Sequence, residues 1–251
     1  YAQFLVYAGD FATLEKEVAT LNAPDPKNPK TFVVTRMRGY SAVENKNFEQ
    51  GIKYMNELFA RTQDASRIIG SDYLYLGRAQ QATGQDSLAF INIAKGVELD
   101  STKVEELATI GAKYYQAQNF PKAAEVYSKV VTVNSKNPNL AMAYYYLGAA
   151  NYFTYAFASR DGKNPSKDIL VKADTAFASL AKLAPDYEVA YLFRARIGKN
   201  LDDAENSKKL AVPYYEKYIE LITAKPEKAA ASKTQLIEAY NYLGAVAAVT
   251  D

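Results

Sequence analysis

The chain has 251 residues, 49% of them hydrophobic and 23% charged, a make-up that suits a folded protein and a length that points to two domains or an elongated repeat. Its 30 basic and 28 acidic residues are scattered and leave a net charge of +2, which speaks against a nucleic-acid partner, and no apolar run approaches the roughly 20 residues that span a bilayer. Cysteine and histidine are absent, so disulfides, thiolate or imidazole metal sites and most nucleophile–base pairs are excluded, and neither a metal nor a cofactor is expected.

The chain opens at Tyr1 with neither an initiator methionine nor a signal segment, and reads as a processed or excised piece. With the lack of cysteine, this favours the cell envelope or periplasm over the cytoplasm. Residues 1–29 form a partial repeat: the end of one helix, then a second over Phe11–Asn22 with an apolar stripe of Leu14, Val18 and Leu21. Residues 30–69 carry Arg38-Gly39, the turn-like "ENKNF", then Gly51, Met55 and Leu58 at i, i+4, i+7. The pattern returns in residues 70–103 as Tyr73, Leu76-Gly77, "TGQD", then Ala89, Ile93 and Gly96. Residues 104–137 give Leu107, Ile110-Gly111, Tyr114, "AQNF", then Ala123, Tyr127 and Val130.

In residues 138–185 the stretch "AYYYLGAANYF" holds Leu147-Gly148, and Ala173, Phe177 and Leu180 follow after an insertion. The intervening "SRDGKNPSKD", 159–168, has Asp-Gly and Asn-Pro turn signals and is expected to be an exposed loop. Residues 186–233 place Arg194-Ala195 in the glycine position, then Ala211, Tyr215 and Tyr218, with "KNLDDAENSKK" and "ITAKPEKAAASK" as long connections. A last helix, 234–251, carries Leu243-Gly244, has no second helix after it, and is dominated by apolar residues and tyrosine. It is expected either to pack as a cap with one side unusually apolar or to be continued in the natural chain, in which case its exposed apolar side should promote self-association.

The small residue thus recurs at intervals of 38, 34, 37, 47 and 49 residues. A glycine in mid-helix is unfavourable by roughly 1 kcal/mol relative to alanine, so its repeated use implies a backbone pressed close to a neighbouring helix. This pattern resembles the tetratricopeptide repeat (TPR), a helix–turn–helix unit of about 34 residues whose consensus has a large aromatic, Leu-Gly, Tyr, then Ala, Phe, Ala and Pro. The first-position Trp is missing, and Tyr73, Tyr144, Tyr191 and Tyr240 stand in its place. The RNA-reading pentatricopeptide repeat has a similar period, but the balanced charge and the Ala/Gly contact positions favour TPR. The resemblance implies an all-α, right-handed α-solenoid of about twelve helices, running as one array over residues 1–251.

Little chemistry is offered. Glu105-Glu106 and Asp202-Asp203 are adjacent pairs whose side chains diverge on a helix, so solvated charges are expected and an enzyme is not. No glycine-rich phosphate loop is present. In the TPR family, set positions of the first helices line a concave groove. Their counterparts here include Arg36, Tyr40 and Glu44; Ser71, Leu74, Arg78 and Gln81; Tyr115 and Gln116; Tyr145, Tyr152 and Phe153; Leu192, Arg196 and Lys199; and Asn241.

From these the resemblance implies a ligand-binding set of Arg36, Tyr40, Arg78, Tyr115, Tyr145, Tyr152, Arg196 and Lys199, since Tyr and Arg dominate binding hot spots. Within "YYY", Tyr144 is expected in the core, Tyr145 in the groove and Tyr146 at an inter-repeat edge. The Lys/Asn pattern with which some members clamp a C-terminal carboxylate is missing. The expected function is a non-catalytic scaffold that binds a segment of another protein in the groove. The alternative is a glycan-binding envelope protein with tyrosine in the stacking role.

Overall fold

The computed structural model describes residues 1–21, 29–133 and 136–248, which form fourteen α-helices, two short 3₁₀ helices and no strand among the described residues. The helices are α1 (Ala2–Ala8), α2 (Phe11–Thr20), α3 (Pro29–Glu44), α4 (Phe48–Phe59), α5 (Gly70–Ala82), α6 (Asp86–Leu99) and α7 (Val104–Gln116). They continue as α8 (Phe120–Val133), α9 (Leu140–Arg160), α10 (Asp168–Leu183), α11 (Glu188–Leu201), α12 (Val212–Thr223), α13 (Pro226–Ala231) and α14 (Lys233–Ala248). Contacts divide the chain into two compact units, Tyr1–Leu107 and Ala108–Asp251. In each, successive helices pack on one another, with α3 on α4 and α5 on α6 in the first, and α9 on α10 and α11 on α12 in the second.

One turn geometry recurs between the two helices of a pair. A residue in the left-handed region ends the first helix: Gly9 (φ 71°), Lys46 (65°), Gly84 (78°), Gln118 (56°) and Gly162 (73°). The next amide then donates to the carbonyl five residues back: Asp10 to Leu5 at 3.0 Å, Asn47 to Ala42 at 2.7 Å, Gln85 to Gln80 at 2.8 Å, Asn119 to Tyr114 at 2.9 Å and Lys163 to Ala158 at 2.9 Å. Lys46 and Gln118 adopt this conformation without the freedom of glycine. The turn is therefore imposed by the packing of the pair and not by residue type alone.

The small residues fulfil their expected role in four repeats. Gly39 lies under Met55. A Cβ at Gly77 would stand 2.5 Å from Ile93, one at Gly111 2.8 Å from the Tyr127 ring, and one at Gly148 2.8 Å from the Phe177 ring. The stripes that supply these partners are buried, as Ala89, Ile93, Ala123, Tyr127, Ala173, Phe177, Ala211 and Tyr215 show.

Several expectations need correction. Among the described residues no neighbouring atom lies within 4 Å of a Cβ built at Gly244, so the last copy of the contact position meets none of them. Leu21 is exposed at the end of α2. The inserted loop covers 161–167, because α9 runs two turns further than its counterparts, to Arg160, and α10 already begins at Asp168. The "ITAKPEKAAASK" connection contains helix α13. Residues 249–251 of the last predicted helix lie outside the described residues.

Candidate functional site

In the N-terminal unit, the residues expected to face a ligand bind one another. Asp72, fully buried in the first turn of α5, receives a two-pronged bond from Arg36 of α3 (Nε to Oδ1 2.8 Å, Nη2 to Oδ2 2.6 Å), the Tyr40 hydroxyl at 2.8 Å and the Ile69 amide at 2.9 Å. Arg36 also donates to the Arg67 carbonyl at 2.7 Å. Tyr40 is buried and stacks on Tyr75 at 3.9 Å, and burial beside the Asp72 charge holds its hydroxyl well above the ordinary tyrosine range. Arg36 and Tyr40, expected as ligand contacts, thus belong to an internal network. A buried carboxylate persists only when its oxygens are satisfied, and these two residues do so.

Arg78 repeats the arrangement one pair later. Its guanidinium donates to both oxygens of Glu106 in α7, at 2.7 and 2.5 Å, lies 3.5 Å from Glu44, and sits over the Tyr75 ring. The bond to Glu106 is the main reason its proton is held above the usual arginine range. Glu106 is therefore not the solvated charge expected of an adjacent acidic pair. Nor is Asp202, which is buried and accepts the amides of Asp203, Lys208 and Leu210 at 2.9, 3.2 and 3.0 Å, organising the connection to α12.

The C-terminal unit also carries such clamps, Arg194 on Asp174 and Arg196 on Glu238. Arg196 of α11 donates to both oxygens of Glu238 in α14, at 2.9 and 2.7 Å, and the Tyr215 hydroxyl adds a bond at 2.8 Å. Burial raises the Glu238 carboxyl, but these bonds and the Arg196 charge outweigh it and hold the group below the ordinary glutamate range. Arg196 is half-buried with its fork occupied, so it cannot offer a two-pronged grip to a partner.

Lys199, one turn further on, differs. It is exposed and makes no ion pair among the described residues. It borders a recess of about 350 Å³ with Asn206, Tyr215, Glu238, Asn241, Tyr242 and Ala245.

Aromatic rings cover the neighbouring surface of α9. Tyr145 packs edge-on against Tyr146 at 5.3 Å and Phe193 at 6.4 Å, and Tyr152 against Phe153 at 5.5 Å and Phe193 at 5.2 Å. Tyr115 meets Tyr146 at 5.1 Å, and its hydroxyl bonds to that of Tyr145. Tyr115, Tyr145 and Tyr152 are half-buried, and burial raises all three hydroxyls. They hold the core of the unit together and also present ring surface.

Tyr146 stacks on Tyr127 of the preceding pair at 5.1 Å, the inter-repeat place its phase assigns. Tyr144 is half-buried and packs against the core of the unit, and its other side is open. With Leu147 and Asn151 it lines a groove of about 640 Å³ with residues of α8 and α10, because α9 turns that side toward the gap between the two second helices.

Among the described residues no three His, Cys, Asp or Glu side chains are placed to hold a metal ion, and no helix is long and apolar enough to cross a membrane. Paired helices, a recurrent turn and large side chains seated on small residues define an all-α solenoid of helix–turn–helix repeats, a class that presents extended binding surfaces.

Among solved structures the chain is similar to the C-terminal part of a TPR repeat-containing protein from Cytophaga hutchinsonii. The two are 27% identical over 100% of this chain and 88% of that one, with a TM-score of 0.53. The chain thus has the fold of a tetratricopeptide-repeat protein. It is also similar to MamA protein, at 19% identity over 80% of this chain and 96% of that one with a TM-score of 0.43. For MamA residues 41 to the end from Desulfovibrio magneticus RS-1, the values are 18%, 77%, 96% and 0.39. No protein-family model matches the chain, and no curated protein matches it.

Proposed function

We propose that the chain is a non-catalytic scaffold and that the α9–α11–α14 face of its C-terminal unit holds a segment of another protein. One observation carries this reading: Lys199, exposed and without an ion pair among the described residues, lines the recess while Arg196 beside it is engaged by Glu238. The half-buried rings of Tyr145 and Tyr152 on α9 add apolar area that loses little conformational freedom on binding. The partner segment is acidic at the position facing Lys199 and aromatic or aliphatic beside it. Arg36, Tyr40 and Arg78 take no part, since their polar groups are engaged within the N-terminal unit.

The test is affinity capture on the immobilised chain, with Lys199→Glu and Tyr152→Ala in parallel. A specific protein retained by wild type, released by added salt and lost on Lys199→Glu with unchanged melting supports the reading. Equal retention by both variants refutes the site, and binding to a glycan array with no protein retained replaces the scaffold reading with the glycan one.

A further inference from the structure

We propose that the groove between α8 and α10 takes an arginine side chain from a segment of another protein, with an acidic residue beside that arginine. The groove lies apart from the α9–α11–α14 face, and the inference does not depend on the partner reading above.

The repeat itself shows what such a gap holds. The residue before the small contact position is Arg38 in α3, Leu147 in α9 and Arg194 in α11. Arg194 spans the gap between the second helices on either side of it. It donates to both oxygens of Asp174 in α10, at 2.8 and 3.1 Å, and lies 4.2 Å from the centre of the Tyr214 ring in α12. Arg38 acts likewise between α2 and α4: it donates to the Val18 and Leu21 carbonyls, at 3.1 and 2.6 Å, and lies 6.0 Å from the centre of the Tyr54 ring.

At the α9 gap all three places are occupied by shorter side chains. Counted from the Ala123, Ala173 and Ala211 stripes, Ala124 stands where Asp174 does, Leu147 where Arg194 does, and Ala176 where Tyr214 does. The groove of about 640 Å³ is what remains when these long side chains are missing. Close packing favours a side chain that fills it.

The polar groups in its lining favour a cation that donates hydrogen bonds. Asn151, buried on α9, donates its amide nitrogen to the Leu147 carbonyl at 2.9 Å, which leaves its oxygen to accept. The Thr175 and Ser179 hydroxyls donate to the Val171 and Thr175 carbonyls of their own helix, at 2.9 and 3.0 Å, and likewise keep only acceptor capacity. Glu125, exposed on α8, has no side-chain partner among the described residues. A guanidinium matches such a set, because its planar fork can bond a carboxylate and an amide oxygen together while its stem lies along Leu147, Ala124 and Ala176. Lys172, across the groove on α10 and also without a partner among the described residues, calls for an acid on the same segment. The occupant is therefore arginine with a neighbouring Asp or Glu.

Random peptides displayed on phage and selected on the immobilised full chain supply the probe. Enriched peptides are expected to share an arginine with Asp or Glu within about one helical turn of it. Fluorescence anisotropy on one labelled peptide should show affinity reduced about tenfold or more by Glu125→Lys, which removes a charge-assisted bond at an exposed position, with melting unchanged. Leu147→Arg sets the chain's own arginine in the space, as two other repeats do, and should block the peptide as strongly. Lys199→Glu, on the other face, should change nothing. Failure to enrich any peptide, a consensus without arginine, or binding that survives Glu125→Lys overturns the proposal. So does binding lost on Lys199→Glu in place of Glu125→Lys. A mass that doubles with concentration and reverts on Glu125→Lys also overturns it, since the occupant is then a second copy.

Discussion

Alanine placed at Gly148 and at Gly244 should have opposite effects, although both glycines occupy the same position of their repeats. At Gly148 the new Cβ would lie 2.8, 2.8 and 2.9 Å from three atoms of the Phe177 ring, where ordinary contact begins near 3.5 Å. The ring must retreat by roughly 0.7 Å to restore that contact. It has little room to do so: Phe177 is fully buried and stacks on Phe193 at 4.7 Å with an interplanar angle of 8°. Overpacking of this kind costs about 1–3 kcal/mol, against a helix-propensity gain of about 0.5–1 kcal/mol for replacing glycine.

At Gly244 nothing among the described residues lies within 4 Å, so only the gain applies. The propensity contribution largely cancels between the two variants, so their stabilities should differ by about 1–3 kcal/mol, with Gly148→Ala the weaker. Urea unfolding at low protein concentration measures the difference. Equal midpoints would mean that the α9–α10 contact is looser than described and that the small residue is not dictated by it.

Asp72→Ala should destabilise the N-terminal unit by about 3–5 kcal/mol, because Arg36, with 14% of its side chain exposed, loses the carboxylate that pairs it; replacing both residues with leucine should recover most of the loss in the same denaturation assay. Burial, then the bonds and charges of Asp72 and Glu238, raise the hydroxyls of Tyr40 and Tyr215 from the ordinary value of 10.0. A raised folded-state value means that their contribution is complete below pH 10.0 and is lost as pH climbs through the folded value, so a fraction of the 21 tyrosines should ionise only as the chain unfolds. A phenolate absorbance titration that is smooth and complete before any loss of helicity would refute this.

The repeat was legible because its signals are local. A glycine in mid-helix, an apolar stripe at i, i+4, i+7 and a polar turn each occur within one pair, and Gly77 with Ile93 or Gly148 with Phe177 realises them directly. The candidate site was less legible because its decisive contacts join residues 28 to 42 positions apart. The planar fork that suits an arginine to a ligand also lets Asp72, Glu106 and Glu238 occupy Arg36, Arg78 and Arg196. A signal was present, since Asp72 and Glu106 each fall third in the helix that follows their arginine's pair, where an acid also suits the helix N-terminus. Tyr144 was legible only in part: it packs against the core as its consensus slot implies, and it also borders a groove between α8 and α10.

Two kinds of joint connect the first helices, and they would respond differently to tension. Arg196–Glu238 ties α11 to α14 through two short, directional bonds, while α9 meets α11 through rings, Tyr145 and Tyr152 against Phe193. A fork of hydrogen bonds resists until its geometry fails and then lets go abruptly, whereas stacked rings can slide and exchange neighbours as the helices separate. The C-terminal unit therefore has a brittle joint beside a compliant one. Raising ionic strength weakens the first, which is partly exposed, and leaves the second nearly unchanged. In single-molecule stretching, rupture at the α11–α14 joint should fall to lower force with added salt, while extension across α9–α11 keeps its stiffness.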